Sequence, residues 1–133
     1  MSEVVLDASA VLALLQREPG SAEITALLPV AVLGAVNAAE VISKLAEAGM
    51  PARDARTAVA ALGLVVVPFD ADHAEETGSL RPLTASAGLS LGDRACLALA
   101  RRMGREAVTT NAAWSRVRCD VRVRVISVGR RGR

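Results

Sequence analysis

Glu3-Val4-Val5-Leu6-Asp7-Ala8-Ser9-Ala10-Val11 decides how the rest of the chain is read. Val4 to Leu6 is a short apolar run rich in β-branched residues, the pattern of a buried strand. It stops at Asp7, and Ala8 to Gln16 continues as a helix. A buried strand feeding straight into a helix opens an α/β fold with a parallel sheet. Asp7 then stands at the carboxyl end of the first strand, where open parallel sheets place their ligands. The same position also suits a helix N-cap, so both roles stay open.

The pattern recurs downstream. Pro29 precedes a second strand, Val30-Ala31-Val32-Leu33, and Asn37 reads as the cap of a helix through Ala48 that Gly49 stops. Glu40 lies early in that helix with Lys44 four residues on, which one reading explains as an exposed ion pair. Pro51 opens a helix to Leu62, and Leu64-Val65-Val66-Val67 is a third strand whose unbroken apolar run predicts burial on both faces. A helix follows from about Asp72 to Ser79, capped by Asp70 or Asp72, with His73 read as a solvated first-turn residue. Glu106 to Thr109 is a fourth strand, Thr110-Asn111 its carboxyl-end loop, and Asn111 a cap for a short helix through Trp114. Val121-Arg122-Val123-Arg124-Val125 alternates apolar and basic residues, as an edge strand with its arginines outward does.

A second stretch concentrates the chemistry: Leu89-Ser90-Leu91-Gly92-Asp93-Arg94-Ala95-Cys96-Leu97-Ala98-Leu99-Ala100. Helical spacing puts Asp93 on one face with Cys96, Leu97 and Ala100, and a carboxylate on an inward face needs a partner. Ser90-x-x-Asp93 offers one in a capping box, and a cation shared with other acids offers another. In a parallel sheet, Asp7 and Asn111 lie at strand ends, while Glu40 and Asp93 begin helices on the same side. Oxygen ligands without histidine or cysteine select Mg²⁺ or Mn²⁺. Such an ion activates water and stabilises phosphate charge, which is the chemistry of phosphodiester hydrolysis.

Composition narrows the remaining classes. A length of 133 residues suits a single domain, 1–133, with a basic tail from about residue 128. Aromatic residues make up 2%, too few for a base-stacking platform. Residues 1–40 carry five acids and one arginine, whereas residues 101–133 carry ten arginines and two acids. That asymmetry suits a polyanion held by the basic part and processed by the acidic part. Two cysteines and one histidine make no common zinc site or disulfide framework. Neither a signal peptide nor a membrane span is read, so a cytoplasmic setting is expected. A phosphotransfer receiver would need a lysine ending the last strand, and Lys44 is the only lysine.

Val5-Leu6-Asp7-Ala8-Ser9-Ala10, Asn37-Ala38-Ala39-Glu40-Val41, the Leu89–Ala100 stretch and Thr109-Thr110-Asn111-Ala112-Ala113-Trp114, in that order and spacing, resemble the motifs of PIN-domain proteins of the VapC toxin type. The resemblance spans the whole chain. It implies a three-layer α/β fold with a parallel sheet ordered 3-2-1-4-5. It also implies a Mg²⁺- or Mn²⁺-dependent endoribonuclease, often acting on transfer RNA, that forms a homodimer and is inhibited by a VapB-type antitoxin. Asp7, Glu40 and Asp93 match the family's metal-binding acids and Thr109 its threonine, whereas Asn111 stands where the family usually has an aspartate. Arg94, Arg116 and Arg118 are the candidate nucleic-acid contacts. The aliphatic faces carrying Leu12, Leu15, Leu27, Val41, Leu45 and Val59 are expected to meet antitoxin and partner subunit. The alternatives are a PIN-like RNA-binding or regulatory protein with a weakened site, and a structural partner in a complex.

Overall fold

The computed structural model describes residues 3–129. The arginines at 130, 131 and 133, most of the expected basic tail, lie outside the described residues. In chain order the elements are β1 (Val4–Leu6), α1 (Ala8–Leu15), α2 (Ser21–Leu27), β2 (Ala31–Gly34), α3 (Ala35–Glu47), α4 (Ala52–Ala60) and β3 (Val65–Val67). These are followed by α5 (Ala71–Ser79), α6 (Arg81–Thr84), α7 (Leu91–Met103), β4 (Glu106–Thr109) and β5 (Val123–Val125). The strands form one sheet in the order β3-β2-β1-β4-β5, every pairing parallel, as expected.

β1 is central, with Val5 opposite Val32 of β2 on one side and Ala107 of β4 on the other. Successive side chains serve opposite faces. Val4, Leu6, Leu33 and Val108 pack under α1 to α4 with Val11, Ile24, Val41 and Val59. Val5, Val32 and Ala107 pack on the other face against Cys96, Leu97 and Leu99 of α7. Val5 and Leu6 are 0% exposed, and each such side chain contributes on the order of 2 kcal/mol by leaving water. The strand order reverses between β1 and β4, which opens a crevice at their carboxyl ends. No described helix is long and apolar enough to cross a membrane.

Four sequence expectations are corrected. β3 is not buried on both faces: Val65 is 64% exposed and Val66 44%, because the strand lies at the sheet edge with β2 as its only neighbour. Asn37 is not a cap, since α3 begins two residues earlier with Gly34 at its N-cap and buries Asn37 in its first turn. His73 is not solvated but 1% exposed, its ring tilted by 53° against Phe69 with the centroids 4.5 Å apart, and Nε2 lies 2.8 Å from the Ala95 carbonyl oxygen. Docking of α5 on α7 encloses it. Val41, Leu45 and Val59 are used in the chain's own core and present no free face, whereas Leu12, Leu15 and Leu27 remain half-buried.

Candidate functional site

The crevice between β1 and β4 is organised around Asp7, which is 2% exposed. Leaving β1, the chain turns at Asp7 into α1, and Oδ1 caps the helix by accepting from the Ala10 amide at 2.8 Å. Ser9 Oγ reaches both carboxylate oxygens, at 2.7 and 2.9 Å, and Thr109 Oγ1 donates to Oδ2 from the end of β4. The two strand ends are tied again by the Thr110 amide, which donates to Ser9 Oγ at 3.0 Å. The cap reading of Asp7 is the one these bonds show. Burial pushes its carboxyl up from the ordinary 3.8 to about 6; the Thr109, Ala10 and Ser9 donors pull it down, and the Asp93 charge adds to the rise.

Asp93 sits half-buried in the first turn of α7. The expected capping box is present: Oδ2 accepts from the Ser90 amide at 2.9 Å and Ser90 Oγ accepts from the Asp93 amide at 3.2 Å. Glu40 comes from α3. Its Oε1 accepts from Asn37 Nδ2 at 2.9 Å, and the same amide donates to the Gly92 carbonyl at 3.1 Å, so Asn37 joins Glu40 to the start of α7. A Cβ on Gly92 would overlap the Glu40 carboxylate. Glycine is what lets α3 deliver that acid to α7. Burial raises the Glu40 carboxyl, opposed by the Asn37 hydrogen bond and assisted by Asp93. Lys44 also draws it down but forms no ion pair with it among the described residues.

Asp93 destabilises the charge on both Asp7 and Glu40. Cys96, one turn further along α7 and fully buried, has its thiol pushed well up by burial first and then by Asp7, Asp93 and Glu40 together. No arginine or lysine pairs with any of the three acids among the described residues. Asp7, Glu40 and Asp93 offer oxygen donors without a basic partner among the described residues, the chemistry that a hard divalent ion selects. As the side chains lie, no three acid, histidine or cysteine groups among the described residues stand close enough together to enclose an ion.

Asn111 is exposed at the rim. Its Oδ1 caps the short 3₁₀ turn Ala112–Arg116 by accepting from the Ala113 amide at 3.0 Å, and its own amide donates to Thr109 Oγ1 at 3.0 Å. Arg94 does not point freely into the crevice, because Nη1 donates to the Thr77 carbonyl of α5 at 3.2 Å. Arg116 and Arg118 are exposed. Sequence reasoning missed three supports of the site: Ser9, Asn37, read as a cap, and Gly92. The signal for Gly92 was a glycine in the first turn of a helix otherwise rich in alanine and leucine.

Three comparisons bear on this arrangement. A family model described as PIN domain matches residues 4–118. None of the curated protein sequences compared with the chain matches it. Among solved structures, VapBC from Salmonella typhimurium bound to DNA superposes with a TM-score of 0.73 at 20% identity, covering 94% of this chain and 98% of that one. VapBC2 from Rickettsia felis, bound to a DNA fragment from its promoter, gives 0.71 at 14% identity over 93% and 98%. VapBC-5 from Mycobacterium tuberculosis, a member of the VapBC family of toxin-antitoxin systems, gives 0.61 at 20% identity over 95% and 98%.

Proposed function

The chain belongs to the PIN domain family, and on that premise we propose that it is a VapC-type toxin: a Mg²⁺- or Mn²⁺-dependent endoribonuclease acting in the cytoplasm and held in check by a VapB-type antitoxin. The observation that carries the reading is Asp7, a buried carboxylate with no basic partner among the described residues, at the switch point of the sheet and within the field of Asp93. The VapBC pairs among the structural relatives support an antitoxin partner. The apolar edge at Val65 and Val66 supports a homodimer.

A divalent ion bound by Asp7, Glu40 and Asp93 would supply an activated water and offset charge on the phosphate. The chain's own residues prepare for that. Ser9, Thr109 and the Ala10 amide fix the Asp7 carboxylate, Asn37 fixes Glu40, and the capping box fixes Asp93. Transfer RNA is the substrate class to try first. The test is cleavage of RNA by the purified chain with Mn²⁺ or Mg²⁺ and with EDTA. Cleavage should need the ion and be lost in folded Asp7→Asn and Asp93→Asn variants; retained cleavage in either would sink the reading.

A second reading, an RNA-binding protein with a weakened site, is favoured by Asn111, which brings an amide where a carboxylate would add charge. Asn111→Asp keeps a competent cap and adds that charge. On the nuclease reading it lowers the metal concentration for half-maximal cleavage. On the second reading wild type binds RNA without cutting, and Asn111→Asp gains cleavage.

A further inference from the structure

We propose a second anion site at the end of the sheet opposite the carboxylates, lined by Arg101, Arg118 and Arg122, that holds a phosphate of the RNA strand a few nucleotides from the scissile bond. It rests on the ribonuclease reading above. α7 starts at the catalytic rim with Asp93 and reaches Arg101 eight residues later, a rise of about 12 Å along its axis. Because β5 is parallel to β4, the segment 117–122 must descend from the carboxyl end of the sheet to its amino end. Arg116, Arg118 and Arg122 are exposed along that descent and mark a basic path from Asn111 downward.

The path ends in an open cavity of about 470 Å³ whose lining sets the three arginines beside the apolar Leu83, Val117, Cys119 and Val121. Asp120 is the only acid in its lining. Neighbouring arginines are differently employed: Arg102 pairs with Asp70 and Glu76, Arg105 with Glu3, and Arg124 with Glu23 and Glu106. Arg101, Arg118 and Arg122 have no ion-pair partner among the described residues. Like charges around one cavity repel, and a bound anion relieves that repulsion. Phosphate suits them because its oxygens match the planar guanidinium fork, while the apolar residues accept the sugar.

The test is binding of a fluorescent octaribonucleotide in EDTA, read by anisotropy across a salt series. Arg118→Gln combined with Arg122→Gln should weaken binding about tenfold and flatten the salt dependence by about 0.7 in log–log slope for each phosphate that is no longer neutralised. Arg53→Gln on α4, exposed and remote from this lining, should change little. Asp120→Asn should tighten binding; Asp120 has φ +60°, a conformation asparagine adopts as readily, so that gain cannot come from misfolding. Intact wild-type binding that neither the double variant nor Asp120→Asn alters overturns the site and leaves the ribonuclease reading standing. Equal weakening by Arg53→Gln reduces the effect to bulk charge and overturns it too. Wild type that binds no RNA, but binds an acidic peptide through these arginines, overturns both.

Discussion

The Asp7 carboxylate is held by three donors and still carries its charge at a cost, because burial outweighs them. With the folded carboxyl at about 6 against 3.8 when solvated, the folded state binds the proton more tightly. The ion-free protein is therefore most stable below about pH 4 with respect to this group and loses stability as pH rises through 6. The shift corresponds to roughly 3 kcal/mol. Asp7→Asn should remove that slope and melt higher than wild type at pH 8 in EDTA, while abolishing cleavage. Mn²⁺ requires the deprotonated ligand, so its stabilisation of the wild type should be strong at pH 7.5 and weak at pH 5. Thermal melts across pH with and without Mn²⁺ check both; an unchanged slope in Asp7→Asn would assign the titration elsewhere. Asp7 and Asn111 were legible in the sequence as residues at strand ends, whereas Thr109 entered through the family resemblance. Ser9 and Asn37 were not, because the groups that give them meaning, Thr110 and Gly92, lie 101 and 55 residues away.

Among the elements, the contact of α3 with α7 sets the site. Gly92 in an α7 turn should by intrinsic propensity welcome alanine, with a gain of up to about 1 kcal/mol. Here the added methyl meets the Glu40 carboxylate. Gly92→Ala should instead displace the Glu40 carboxylate from Asn37, offset that gain and weaken Mn²⁺ binding, and in a Glu40→Ala background the same change should become stabilising. A double-mutant cycle in urea measures that coupling, and additivity would show that the two elements do not meet there. Helix positions were legible from periodicity and from glycine and proline stops, and the Ser90 cap of α7 from the Ser90-x-x-Asp93 spacing. β3 was read correctly as a strand and wrongly as buried. An unbroken valine run looks the same at a sheet edge as at its centre, and only the strand order, set by long-range pairing, distinguishes them.

For the whole molecule, the exposed Val66 lines an apolar groove with Ala38, Ile42 and Leu64, and the exposed Val65 stands next to it on the same edge strand. Light scattering should report a dimer, and Val65→Lys with Val66→Lys should convert it to a folded monomer; a wild type that stays monomeric at tens of micromolar contradicts this assignment of the edge. The fold itself was legible because strands and helices alternate along the chain, and the strand order entered through the family resemblance. The central position of β1 has a consequence in time. Asp7 is made about a hundred residues before its Thr109 partner and the β4 strand that closes the crevice. At roughly 5–20 residues per second of synthesis, that interval is on the order of ten seconds. On the proposed nuclease reading, a chain still on the ribosome holds an unfinished site, and no activity is released until β4 has been made and has paired with β1.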